Sequence, residues 1–111
     1  MAYDEDLANR IRELLADERA VTEKKMFGGL AFLIGGNMAV AASGQGGILL
    51  RVDPEQGDAL AEKAHVEVAV MRGRAMTGWL RVGPAALTTK RELERWVRRG
   101  VAYAGSLPAK G

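Results

Sequence analysis

Val21-Thr22-Glu23-Lys24-Lys25-Met26-Phe27-Gly28-Gly29-Leu30-Ala31-Phe32-Leu33-Ile34-Gly35-Gly36-Asn37-Met38-Ala39-Val40-Ala41-Ala42 is the stretch on which the fold turns. Short apolar runs broken by glycine pairs have the texture of strands and tight turns, not of helix. Thr22–Phe27 reads as a strand ended by Gly28-Gly29, two glycines that let the chain turn sharply. Leu30–Ile34 reads as a second. Gly35-Gly36 supplies the positive φ angles of a hairpin turn, and Met38–Ala42 returns antiparallel. Ser43-Gly44-Gln45-Gly46-Gly47 is a looser turn into Ile48–Val52. Connections this short cannot make parallel crossovers, so the four segments form an antiparallel meander.

Outward from the meander the texture becomes helical. Asp4 is placed to cap a helix whose Leu7, Ile11, Leu14 and Leu15 form one apolar stripe, with an expected end near Glu18. Asp6 and Arg10 stand four apart on its exposed side. Downstream, Asp53 caps a second helix, Pro54 fits its first turn and Gln56 completes a capping box. That helix runs to about Ala64 and offers only Leu60 and alanines to a core, so it covers the sheet at an edge. Val66, Val68 and Val70 alternate with Glu67, Ala69 and Met71, the period of a half-buried strand. Arg72–Gly78 reads as a loop and Trp79–Val82 as a last short strand. Thr89 and Glu92 form another capping box. It opens a helix with Leu93, Trp96, Val97, Val101, Ala104 and Leu107 on one stripe, ended by Leu107-Pro108. Gly100 lies in that stripe at a cost of about 1 kcal/mol relative to alanine, which implies a close backbone approach.

The order α-β-β-β-β-α-β-β-α predicts an α+β fold. It is a two-layer sandwich, an antiparallel sheet with the terminal helices packed on one face, the other face being solvated or buried in a homodimer. One domain, residues 1–111, accounts for the length. A 48% apolar and 27% charged composition is that of a soluble globular chain. With no cysteine there are no disulfides, thiolate metal sites or thiol catalysis. The acidic start Met1-Ala2-Tyr3-Asp4-Glu5-Asp6 is unlike a secretory signal, and the apolar runs fall short of a membrane span, so a cytoplasmic protein without membrane contact is expected.

Catalytic kits are hard to assemble from these residues. His65 is the sole histidine and Ser43 and Ser106 the sole serines, so His65 reads as a polar residue at a helix–strand junction. Asp53, Glu55 and Asp58 serve a helix start. The glycine clusters at 44–47 and 73–78 lie between or before strands, whereas a phosphate cradle needs a strand–loop–helix junction. No enzyme activity, cofactor or metal site is expected. Charge is uneven: residues 1–71 carry 7 basic and 12 acidic side chains, net −5, and residues 72–111 carry 9 and 2, net +7. Such a basic third is either a solvated face or a guide for an anionic partner.

Lys24-Lys25-Met26-Phe27-Gly28-Gly29-Leu30-Ala31-Phe32, Gly36-Asn37-Met38-Ala39 and Leu49-Leu50-Arg51-Val52-Asp53 together resemble the N-terminal domain of the TfoX/Sxy family, the bacterial competence regulators and their single-domain relatives. The tail from Leu93 to Leu107-Pro108 resembles the family's closing helix. The resemblance implies a small two-layer fold like that of type III secretion chaperones and a regulatory, non-enzymatic role. It further implies a protein partner, such as the cyclic-AMP receptor protein with which the competence regulators act. Those regulators carry a second, C-terminal domain that 111 residues leave no room for. The stretch Met71-Arg72-Gly73-Arg74-Ala75-Met76-Thr77-Gly78-Trp79-Leu80-Arg81 is more basic than its counterpart in them, which suggests a branch with its own partner.

Physically, Met26 and Phe27 can plug the core, while Lys24 and Lys25 point to opposite faces. One functional reading has Lys25, Arg51, Arg72, Arg74 and Arg81 converging on an exposed side to bind an acidic partner or anion. The alternative is a nucleic-acid-associated module using the basic face Arg91, Arg95, Arg98 and Arg99 of the last helix, in weak, salt-sensitive phosphate contact. A third reading is a small-molecule binder using the glycine loops and Arg72–Arg81.

Overall fold

Asp4 does open a helix. In the computed structural model, which describes residues 3–26 and 28–108, its carboxylate accepts the amides of Asp6 and Leu7 at 3.0 and 3.2 Å. Those are donors that a first helical turn leaves without partners. Helix α1 (Glu5–Leu14) stops before Glu18. The Leu15 amide is shared between the Ile11 and Arg12 carbonyls, those of Ala16 and Glu18 bond back only three residues, to Glu13 and Leu15, and Ala20 at φ 59° turns the chain into the sheet. Arg10 does not pair with Asp6; it donates to the Leu87 carbonyl at 2.8 Å and ties α1 to the start of the last helix.

Strands β1 (Val21–Met26), β2 (Gly29–Ile34), β3 (Asn37–Ala42) and β4 (Ile48–Arg51) form the antiparallel meander. Helix α2 (Pro54–Ala61) follows, then β5 (Val66–Met71), β6 (Arg74–Val82), a 3-10 turn at Pro84–Ala86, and α3 (Lys90–Ser106). The sheet order is β1-β2-β3-β4-β6-β5, with every neighbouring pair antiparallel. This is the expected α+β arrangement. Gly35 and Gly36, at φ 58° and 85°, make the expected β2–β3 turn.

Two expectations need correction. Residues Arg72–Gly78 are not a loop: Arg72 and Gly73, at φ 53° and 76°, form a two-residue hairpin turn, and β6 begins at Arg74. Positive φ at both central positions is the geometry that matches strand twist, and the arginine at the first of them masks the signal. β6 is irregular, pairing with β5 at Arg74 and Ala75, then bulging before it rejoins β5 at Leu80 and meets β4 from Trp79. Gly78, at φ 84°, carries that bulge, and its carbonyl accepts the Val52 amide at 2.8 Å. The second correction concerns Gly29. It lies within β2, and a Cβ there would run into the Ala42 carbonyl, so close approach rather than turning requires it. Phe27, expected to plug the core, lies outside the described residues. Met26 is half-buried, away from the main core.

All three helices place their buried side chains in one core with Leu30, Phe32, Ile34, Val40, Leu50 and Leu80 of the sheet. A register shift at Phe32/Leu33 leaves Ala39 without a cross-strand partner. A Cβ at Gly100 of α3 would lie 2.5 Å from the Ala39 carbonyl oxygen and 2.8 Å from Leu50 Cδ1, so the expected backbone approach is real. Both capping atoms of the Thr89–Glu92 box are in place. Buried Asn37 donates to the Pro108 carbonyl at 3.0 Å, fastening the end of α3 to the start of β3.

Candidate functional site

Strand alternation sends the other half of the sheet residues to the face without helices. Ala31, Met38, Ala41, Leu49 and Ala69 form a second cluster there, each no more than 5% exposed, with Met26, Leu33 and Trp79 half-buried against it. Among the described residues, no helix contributes to this cluster. Its floor is mainly alanine, and among the described residues the partly exposed apolar side chains packed against it are Met26, Leu33 and Trp79.

Two arginines lie on the same face, one on β4 and one on β6. The β4–β6 register sets Arg51 opposite Trp79 and Leu49 opposite Arg81. The Arg51 guanidinium stands 5.3 Å from the Trp79 ring centroid and 5.5 Å from that of Tyr103 on α3. This is a cation held between two aromatic quadrupoles, one on each layer. Arg81, opposite Glu67 as well, donates to Ser43 Oγ at 3.4 Å, and the same oxygen accepts the Gln45 amide at 3.1 Å. Lys24, cross-strand from Ala31, is the exposed cation at the far rim.

The five residues expected to converge therefore fall in three places. Arg51 and Arg81 project from the helix-free side of β4 and β6, with the Arg51 guanidinium reaching as far as Tyr103 on α3. Lys25 is cross-strand from Leu30, a core residue, and so projects from the opposite face. Arg72 and Arg74 are exposed at the β5–β6 hairpin end. Trp79 and Tyr103 as partners of Arg51 were missed. The repeated pattern Leu49-Leu50-Arg51-Val52 and Trp79-Leu80-Arg81-Val82 carries a signal, since pairing those strands antiparallel lays each arginine beside the other strand's bulky apolar residue.

Arg91, Arg95, Arg98 and Arg99 are all exposed on α3, in the helix layer. Arg98 is bridged to Glu94 at 3.0 Å and Arg99 stands 5.7 Å from the Trp96 ring centroid. At the other end of the layer, Arg12 of α1 holds Glu23 of β1 by two bonds of 2.6 and 2.8 Å, and that ion pair keeps the Glu23 carboxyl below its ordinary range. The Thr88 hydroxyl, then the Thr89 amide, lower Glu92 in the same direction.

His65 sits at the α2–β5 junction, exposed and at φ 66°, beside an open cleft of about 520 Å³ that Gln45, Glu67 and Arg81 also line. Ser106 donates to the Tyr103 carbonyl on α3. No group of three His, Asp or Glu side chains gathers among the described residues, and no helix there is long and apolar enough to cross a membrane.

Comparison with curated proteins and with solved structures gave no match. The family model of the TfoX N-terminal domain matches residues 13–104, from the second half of α1 to the last turns of α3, and so spans the whole sheet and both arginine-bearing strands. The chain belongs to the TfoX N-terminal domain family.

Proposed function

We propose that this domain is a non-enzymatic, cytoplasmic regulatory module that works by contact with another protein through the helix-free face of its sheet. The observation that carries this reading is the composition of that face. An apolar floor is bordered by Met26, Leu33 and Trp79, with Arg51 and Arg81 alongside. Tryptophan, methionine and arginine are the residues enriched where protein interfaces draw their affinity, because each covers much apolar area. Membership of the TfoX N-terminal domain family agrees with a regulatory setting, and a transcription regulator is the class of partner it suggests.

The test is affinity capture from native lysate, with and without nuclease, comparing the unaltered domain with Leu33→Glu. The reading expects a protein recovered in both conditions and lost with Leu33→Glu. Recovery unaffected by that change overturns it. The second reading is nucleic-acid association through α3, favoured by four exposed guanidinium groups on one helix. It expects salt-dependent retention on DNA that Arg95→Glu with Arg98→Glu abolishes.

A further inference from the structure

The sheet has two edges, and they differ in kind. β1 presents Thr22, Glu23, Lys24 and Lys25, all exposed, and charged residues of this sort deter strands from pairing onto an edge. β5, at the other edge, reads Val-Glu-Val-Ala-Val-Met with a single charge. Val70 there is 57% exposed, a large apolar side chain left in water. α2 packs over β6 and β5 from the helix side, and among the described residues no strand pairs with the outer side of β5.

The backbone of β5 is set to receive a strand. The Gly83 amide donates to the His65 carbonyl at 2.8 Å, just ahead of the Val66↔Val82 and Glu67↔Arg81 pairs. In an antiparallel ladder the bonding residues alternate, so Val66 and Val68 turn their own amide and carbonyl groups away from β6. At the other end Met71 and Arg74 close the two-residue turn, which turns Val70 outward too. Val68 and Val70 thus offer outward amide and carbonyl groups along one edge, and Val66 offers its carbonyl, its amide donating to the Lys63 carbonyl at 3.2 Å.

We infer that β5 pairs antiparallel with β5 of a second copy of this chain, about a two-fold axis at Val68, giving one continuous twelve-stranded sheet. The choice of occupant rests on self-complementarity. Charge along the strand is acidic at its start, with Glu67 and with Glu62 shortly before it, and basic at its end, with Arg72 and Arg74. Antiparallel self-pairing sets the basic end of each copy beside the acidic end of the other, whereas centring the axis on Glu67 would oppose two carboxylates. Centring it on Val68 sets Val70 of one copy against Val66 of the other. Val66 belongs to the main core, so the exposed valine becomes an extension of that core. The two helix-free faces then lie on the same side of the joined sheet. This inference does not depend on those faces binding a partner.

Analytical ultracentrifugation of the full chain from 1 to 200 µM tests it, with Val70→Lys and the β1 control Lys24→Ala. The expected result is a species of twice the 11.9 kDa chain mass. Val70→Lys should raise its dissociation constant at least tenfold, with a thermal midpoint equal to that of wild type at concentrations where wild type is itself monomeric, because Val70 is exposed in the single chain, and Lys24→Ala should leave the dissociation constant alone. A wild-type chain monomeric throughout that range overturns the inference. So does a dimer that Val70→Lys leaves intact, since such a dimer uses another surface. Val70→Pro is the second variant. It removes an outward amide without touching the β5–β6 ladder and should also give a folded monomer, and a folded Val70→Pro dimer overturns the inference as well.

Discussion

The two faces of one sheet are built to different rules. Towards the helices, Leu30, Phe32, Ile34, Val40, Leu50 and Leu80 fill a deep core whose other half is supplied by Ile11, Leu60, Leu93, Trp96 and Val97. On the reverse, three of five buried positions are alanine, and their cover is the flanks of Met26, Leu33 and Trp79. A buried side chain on the first face touches atoms from another layer. One on the second packs, among the described residues, in a cluster drawn from the sheet strands alone. The first face holds two layers together, whereas the second buries five side chains within the sheet and leaves parts of Met26, Leu33 and Trp79 facing water.

Substitutions can break this contrast, beginning with the deepest. Phe32→Ala removes a fully buried ring from the helix-covered face and should cost about 3–5 kcal/mol in urea denaturation. Gly100→Ala adds a methyl group where the Ala39 carbonyl already stands. It should destabilise by about 1–3 kcal/mol despite the better helix propensity of alanine, and a gain in stability would mean that α3 can lift off β3 without cost. Thr89→Ala deletes the cap of α3 and should cost about 1 kcal/mol by the same assay. On the hairpin, Arg74→Ala should leave stability within about 0.5 kcal/mol, and a larger loss would mean that the basic tip is structural.

The smallest effect is acid-dependent. Ion pairing with Arg12 lowers the folded pKa of Glu23, so its contribution is present above the unfolded carboxyl value and is lost as pH falls through the lowered one. The thermal midpoints of wild type and Glu23→Gln should therefore differ at pH 7 and converge in strong acid. A gap that stays constant or widens on acidification would contradict the pairing.

Much of this architecture was legible because local chemistry and global fold agree. Asp4, Asp53 and Thr89 cap the three helices they were read to cap, Gly35-Gly36 make their turn, and Gly100 marks a close approach. Legibility fails where a long-range neighbour decides. Arg72 at positive φ conceals a hairpin that an asparagine would have announced, and Gly29 answers to a carbonyl thirteen residues away in sequence. The arginines could be counted but not placed. Whether Lys25 shares a face with Arg51 is a matter of strand order and register, and β6 inserting between β4 and β5 is a tertiary choice that no local pattern encodes.

Hydroxyl-radical footprinting of the domain, free and bound to the protein it captures, tests the central claim most directly, because the oxidisable residues divide between the layers. Met26 and Trp79 lie on the helix-free face, while Trp96 and Tyr103 belong to α3. Contact through the helix-free face requires oxidation of Met26 and Trp79 to fall on binding while that of Trp96 stays level. Unchanged labelling of Met26 and Trp79, with protection confined to α3, would contradict it.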